Sequence, residues 1–381
     1  MIYLDNAATS FPKPNTVTRE VVRCMTRYCG NPGRGGHSLS LLAARKVFEC
    51  RIEAAELLGC PDADKIVFTQ NTTHALNLVI KGLLKKGDHV LISDMEHNSV
   101  LRPIAKLAAE GVIEYSVFKT RTQGTNRNPS LICADIAKKL KSNTRAVITT
   151  HSSNVCSMSM PIHEIGTFCK KHGLYLIVDA AQSAGHLPIN MTEMKIDALC
   201  VPSHKALYGP QGCGFAALSE ELSTKLDTLT EGGSGVNSFD LAMPDTSPER
   251  YEAGTLPTPA IAGLCEGIKQ IKAIGIDAIK EYECELYGYA KERLLNIDGV
   301  TVYAPHHTGS VLLFNKIGKS PEELSTELNE NGICVRGGYH CAPLAHTTLG
   351  TADTGAVRIS FSAFNKKSEI DTLARIVNEM K

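Results

Sequence analysis

The sequence predicts an α/β fold, with a large unit on a mostly parallel sheet and a smaller α+β unit after it. The expectation rests on three features of the chain. The first is a set of short apolar runs: "KIVFT" (65–69), "HVLIS" (89–93), "RAVITT" (145–150), "LYLIVDAA" (174–181) and "DALCVP" (197–202). They are rich in β-branched residues and bounded by polar or turn residues, as strands covered on both faces are. The second is the helical pattern between them. "HALNLVIKGLLKK" (74–86) and "IHEIGTFCKKHG" (162–173) are helical, the latter closing on Gly173 as a helix C-terminus does. Strands alternating with helices indicate a parallel sheet with helices on both faces. The third is a break over residues 230–259, with three glycines in four residues, four prolines and little periodicity. A loop that long is functional or disordered. Beyond it come a long helical region from "AIAGLCEGIKQIKAIG" (260–275), strands near "GSVLLFN" (309–315) and "AVRISFS" (356–362), and a final helix.

The 381 residues suffice for two domains and a substantial core. Lys plus Arg equals Asp plus Glu at 40 each, so net charge offers no case for nucleic acid or an anionic membrane surface. The opening "MIYLDNAATSFPKPN" lacks the basic and apolar regions of a secretory signal. No stretch reaches the ~18 apolar residues of a membrane span. The expectation is a cytoplasmic protein. Its thirteen cysteines include no C-x-x-C pair, which leaves a zinc ribbon or thioredoxin-like motif unsupported. Most are expected to be small buried hydrophobes in a reducing compartment.

Several residues carry chemistry. Asp179 ends a buried strand, where open α/β sheets place ligand-binding groups, although a lone Asp there also serves as a cap or turn former. Lys205, in "CVPSHKALYGPQGCGF", follows the next strand and taken alone reads as a solvated turn residue. Together they fit a lysine that forms a Schiff base to pyridoxal phosphate, with the aspartate on the pyridinium nitrogen. Ser203 and His204 would offer donors to the phosphate. The turn and helix start at Thr72-Thr73 suit a phosphate too, or are plain N-caps. His97, in "SDMEHNSV", either stacks on the pyridine ring or is structural.

In this order across nearly the whole chain stand "YLDNAAT", "NTTHALNL", "EHNS", "VDAAQSAGH", "SHKALYGPQGCG", "YEAGTLPTP" and "RGGYHCAP…RISFSAFN". This set resembles the class V, fold-type I pyridoxal-phosphate enzymes, and most closely the cysteine desulfurase and selenocysteine lyase group. The resemblance implies an N-terminal arm (1–15) packing with the small domain, a large cofactor domain (16–250) on a mostly parallel sheet of the seven-stranded type and a small α+β domain (251–381) carrying the Cys341 loop. It also implies roles: Lys205 as Schiff-base lysine, Asp179 on the ring nitrogen, Gln182 on the phenolic oxygen and His97 on the ring face. Thr72, Thr73, Ser203 and His204 would hold the phosphate. Asn154 would lie beside the cofactor oxygen and the substrate carboxylate, and Arg358 would clamp that carboxylate, a bidentate task suited to guanidinium. In this family a homodimer partner completes each site, so Thr255 and Arg34 would act across the interface.

Cys341, in "CVRGGYHCAPLAH", reads from the residues alone as a buried thiol, a metal ligand beside His340 and His346, or a nucleophile on a mobile loop. The metal reading lacks a fourth ligand at a typical spacing. The resemblance, closest to the short-loop SufS-like branch, implies that Cys341 accepts sulfur from L-cysteine as a persulfide and passes it to an acceptor protein. Arg336 and His340 would favour its thiolate. The sequence departs from that branch at Tyr339, where another histidine is common, at Asn71, where glycine is usual, and in the longer stretch "APLAHTTLGTADTGA". Alternatives are a selenocysteine lyase, a cysteine sulfinate desulfinase, another class V lyase or aminotransferase, and a catalytically quiet sulfur-carrier partner.

Overall fold

The structure, a computed structural model, describes residues 1–33, 35–120, 128–236, 238–304 and 309–380. The strands are β1 (Ile2–Tyr3), β2 (Ile66–Thr69), β3 (Asp88–Ser93), β4 (Ile113–Phe118), β5 (Thr144–Thr150), β6 (Tyr175–Asp179), β7 (Ala198–Pro202), β8 (Gly214–Leu218), β9 (Val300–Tyr303), β10 (Val311–Lys316), β11 (Ile333–Cys334), β12 (Arg336–Gly338) and β13 (Ala356–Ser360). The α-helices are α1 (Asn15–Arg27), α2 (Ser38–Leu58), α3 (Thr72–Leu83), α4 (Asn98–Ala109), α5 (Pro129–Lys139), α6 (Ile162–His172), α7 (Glu220–Lys225), α8 (Thr258–Ile274), α9 (Ile276–Leu295), α10 (Pro321–Glu330), α11 (Pro343–Leu349) and α12 (Lys367–Glu379).

The large sheet has seven strands in the order β2-β8-β7-β6-β5-β3-β4. All are parallel except β8, which runs antiparallel between β2 and β7. The five apolar runs are strands β2, β3, β5, β6 and β7. The two additional strands gave weaker signals. In β4 only Ile113 and Phe118 of six residues are buried, and β8 reads GFAAL, short and without β-branched residues. Helix α6 ends as predicted, with Gly173 at φ +66 in the left-handed conformation glycine adopts without steric cost. Because β2, β3, β5, β6 and β7 run the same way, the segments that follow them gather along one edge of the sheet.

The second sheet, β12-β13-β10-β9, is antiparallel and packs on α9 and α12 through Leu286, Leu312, Phe314, Val357, Ile359 and Leu373. The first residues of the chain join this side. Strand β1 pairs with β11, and the Ser360 amide donates to the Leu4 carbonyl at 2.7 Å. No described helix is long and apolar enough to cross a membrane.

Between α7 and α8 the described residues form no helix or strand, as the glycines and prolines there predict. The segment is anchored from below by Glu252. Its carboxylate accepts from Arg51 Nη2 at 2.6 Å, Arg51 Nη1 at 2.9 Å and the Phe68 amide at 2.6 Å, with both side chains buried. Removing one partner of a buried pair strands the other charge. Glu252→Ala is expected to lower unfolding free energy by about 3–5 kcal/mol, read from the urea midpoint at an unchanged m-value.

Candidate active site

Five strand ends build a cleft of about 260 Å³. Strand β6 ends on Asp179, which is buried and accepts from the Ala181 amide at 2.9 Å. Burial raises its pKa, while that hydrogen bond and the Lys205 charge oppose the rise. Three residues beyond β7, Lys205 lines the same cleft. Burial pushes its amine down to about 8, helped by the charges of Arg358 and Arg336 and opposed by Asp179 and Asp5. An amine of that kind is available as a nucleophile near neutral pH.

The opposite end suits an anion. Asn71 caps α3 by accepting from the His74 amide at 2.9 Å, so this asparagine is in place as an N-cap rather than as a lost glycine. Thr72 and Thr73 open the helix toward the cleft, where the dipole favours negative charge. Ser203 and His204 arrive from the β7 side. Gly209 keeps that corner open, since a Cβ there would fall 2.1 Å from Ser203 Oγ. Lys13 steadies the turn by donating to the His204 carbonyl and to Ser10 Oγ, each at 2.7 Å. Thr72 Oγ1, Ser203 Oγ, His204 Nδ1 and Arg358 Nε are all buried without a hydrogen-bond partner among the described residues. Buried polar atoms are normally satisfied, so this set fits a bound molecule with a phosphate at one end and a carboxylate at the other.

His97 caps α4. Its Nδ1 accepts from the Ser99 amide at 3.0 Å, which leaves the proton on Nε2. Burial, then the charges of Lys205, Arg336 and Arg358, push its pKa down to about 4, so the ring is neutral. Ser99 Oγ also meets Thr73 Oγ1 at 2.8 Å, joining the two helix starts. The turn before His97 is held by Glu96, which accepts from Ser93 Oγ and, at 2.8 Å, from the Thr150 amide. Burial pushes this carboxyl up to about 8. Gln182 lines the cleft and donates to the Ala7 carbonyl at 2.8 Å, so "YLDNAAT" reaches the site through its backbone.

Arg358, on β13, is 1% exposed. Its Nη2 meets Asp5 Oδ1 at 2.7 Å, and its Nη1 donates to the Asn154 carbonyl at 3.1 Å. The Asn154 amide in turn donates to the His340 carbonyl at 2.7 Å. Cys341 is exposed on the short turn between β12 and α11. It lines an adjoining cleft that shares Thr73, His97 and Ser99 with the first. Arg336 Nη2 donates to its Sγ at 3.8 Å.

The expectation that His340 favours a thiolate is corrected. Its ring is buried, with Nδ1 3.1 Å from His346 Nε2 and Nε2 3.0 Å from the Arg336 carbonyl. Burial pushes its pKa down to about 3, so it brings no positive charge to Cys341. Among the described residues no group of three metal-ligating side chains includes Cys341. Thr255 is exposed beside Asn31 and does not line this chain's cleft. Arg34 lies outside the described residues. The expectation that most thiols are buried is met: only Cys29 and Cys341 are classed as exposed among the described cysteines.

The Aminotransferase class-V family pattern matches residues 2–373. The chain belongs to the class-V aminotransferase family. A protein of Methanothermobacter thermautotrophicus described as "Probable cysteine desulfurase" is 34% identical, over all of this chain and 94% of its own. One of Halalkalibacterium halodurans with the same description is 32% identical, over all of this chain and 93% of its own. Among solved structures, the apo cysteine desulfurase from Thermococcus onnurineus NA1 superposes with a TM-score of 0.89 at 33% identity, covering 99% of this chain and 94% of that one. The Escherichia coli cysteine desulfurase CsdA gives 0.88 at 26%, covering 99% and 93%. The mixed seven-stranded sheet with a second, smaller sheet is therefore this family's fold.

Sequence reading assigned no role to Asp5 or Ser99, although both stand inside quoted motifs. Ser99 carried the capping signal of a helix start. Asp5 carried none, because Arg358 is 353 residues away. The lowered Lys205 pKa has a direct consequence. In cofactor-free protein, acylation of Lys205 by acetic anhydride, followed by mass spectrometry against pH, is expected to be half-maximal near pH 8. A midpoint at the ordinary lysine value would mean that burial does not act on this amine.

Proposed function

We propose that the chain is a pyridoxal-phosphate-dependent cysteine desulfurase that converts L-cysteine to L-alanine and carries the sulfur on Cys341 as a persulfide. The observation behind it is an exposed thiol on a compact turn, beside a cleft that holds a low-pKa lysine, a buried aspartate and unpaired donors for phosphate and carboxylate.

In this reading Lys205 would hold the cofactor covalently and Asp179 would serve its ring nitrogen. Thr72, Thr73, Ser203 and His204 would hold its phosphate, His97 would pack on its ring and Gln182 would serve its phenolic oxygen. The bound cofactor supplies an electron sink for the bonding pair at the substrate Cα. Arg358 and Asn154 orient the substrate carboxylate. Lys205, released by substrate, takes and returns the Cα proton, a task worth ~10²–10⁴-fold in rate. Cys341 attacks the substrate sulfur: the C–S bond breaks, an S–S bond forms, and the thiol's proton is balanced by the hydrogen gained at Cβ of alanine.

A homodimer belongs to the same proposal, with Thr255 and Arg34 serving the partner's cleft. It is supported by exposed apolar side chains on α1 and α2, among them Val22, Met25, Leu42, Phe48 and Ile52. The compact turn bearing Cys341 supports the short-loop branch, and a cytoplasmic setting with a thiol-bearing acceptor completes the reading.

Alanine release from L-cysteine with a reductant present is expected to fall by at least about a hundredfold in Cys341→Ala, with the cofactor still bound, and to vanish in Lys205→Ala. Equal alanine release by wild type and Cys341→Ala would replace the desulfurase reading with a lyase acting on selenocysteine or a sulfinate.

A further inference from the structure

His340 and Cys341 stand at φ +51 and +56, two consecutive non-glycine residues in the left-handed region. Such backbone persists only where its surroundings impose it. The Asn98 amide holds the Cys341 carbonyl at 2.8 Å and Asn154 holds the His340 carbonyl at 2.7 Å. A third restraint is a buried chain of side chains. His340 and His346 lie with their rings nearly parallel, 5.3 Å apart, and His346 Nδ1 is 2.7 Å from Thr351 Oγ1.

The proton positions in that chain follow from its first link. The Arg336 carbonyl can only accept, so His340 Nε2 carries the proton and donates at 3.0 Å. Neutral His340 then has a bare Nδ1, which needs a donor, and among the described residues it meets His346 Nε2, at 3.1 Å. His346 Nδ1 is bare in its turn and accepts from the Thr351 hydroxyl at 2.7 Å, a shorter contact than the 3.4 Å from that hydroxyl to the His346 carbonyl. With His340 so fixed, the other His346 tautomer would set two bare nitrogens face to face, and protonating both rings on Nδ1 would leave His340 Nε2 bare against the Arg336 carbonyl oxygen. Both ring nitrogens of His340 are thereby engaged, and none is left for the Cys341 thiol.

We propose that His346, acting through the His340 imidazole, is a positioning residue that sets the place of Cys341. The proposal rests on the reading of Cys341 as the sulfur acceptor. His346 itself is wholly buried, at the inner face of the short helix that follows the turn, and does not line the cleft. Its side chain fixes His340, and His340 fixes the strained backbone from which the neighbouring thiol projects.

The test compares holoenzyme of wild type, His346→Leu and His346→Gln, the glutamine amide being able to donate where His346 Nε2 does. Two rates are read: single-turnover persulfide formation on Cys341 from L-cysteine, and exchange of the L-alanine Cα hydrogen in D2O, which needs Lys205 but no thiol. Misplacing a reacting atom costs up to about a hundredfold. Persulfide formation is expected to fall about tenfold or more in His346→Leu, with Cα exchange within about twofold of wild type, and His346→Gln is expected to recover most of the loss. Equal falls in both rates, an unchanged persulfide rate, or no recovery with glutamine would overturn the proposal. If wild type forms no persulfide on Cys341, the functional reading fails, and this one is then judged by the ¹⁵N spectrum of labelled histidines in wild-type holoenzyme. Both imidazoles as Nε2–H tautomers, with the His340 signal shifted in His346→Leu, would support it. A His340 protonated on Nδ1 at neutral pH would overturn it.

Discussion

The buried guanidinium of Arg358 is the constraint on which the site depends. A cation at 1% exposure is tolerable only when it is paired and hydrogen-bonded. Its two partners come from opposite parts of the chain: Asp5 from the N-terminal arm and the Asn154 carbonyl from the loop after β5. The guanidinium itself sits on β13 of the smaller sheet. One charge thus ties the arm, the large sheet and the small sheet together at the rim of the cleft. Asn154 extends the tie to the Cys341 turn through the His340 carbonyl. Arg358 and the turn that carries Cys341 are parts of one hydrogen-bonded unit.

The same charge shapes the electrostatics of the cleft. With Lys205 and Arg336 it adds to the burial that holds His97 neutral. His204, half-buried beside Lys205 and Lys13, is pushed down to about 4 as well, by partial burial and then by those two charges. The two imidazoles are therefore neutral hydrogen-bonding groups in the wall of the cleft. The positive charge of the cleft is left to the lysine, the arginines and the α3 dipole. Asp179, and more weakly Asp5, are the carboxylates among the described residues whose charge opposes the lowering at Lys205.

Much of this was legible in the sequence because it is local. Strand runs, the Gly173 cap and the polar turns after β2, β3, β6 and β7 each carry their own signal within a dozen residues, and parallel topology brings their ends together. What was not legible is long-range pairing. Asp5 meets Arg358 across 353 residues, and nothing in "YLDNAAT" marks it as the counter-ion. The orientation of His340 was misjudged for a related reason. Its adjacency to Cys341 suggested partnership, but left-handed backbone at both residues turns the two side chains apart, and the ring's partner is six residues on. Edge strand β4 and the alanine-rich β8 were missed because their short, mixed patterns are settled by sheet neighbours rather than by local propensity.

The account turns on Arg358 being held by Asp5, and a double-mutant cycle in urea tests this most directly, with Asp5→Asn, Arg358→Met and the double variant. Stranding the guanidinium is expected to cost about 3–5 kcal/mol in Asp5→Asn. The double variant should lose less than the sum of the singles by at least about 1 kcal/mol. Single-variant losses that add to within about 0.5 kcal/mol would show that the two residues do not depend on each other. The cleft would then be assembled by something other than this buried pair.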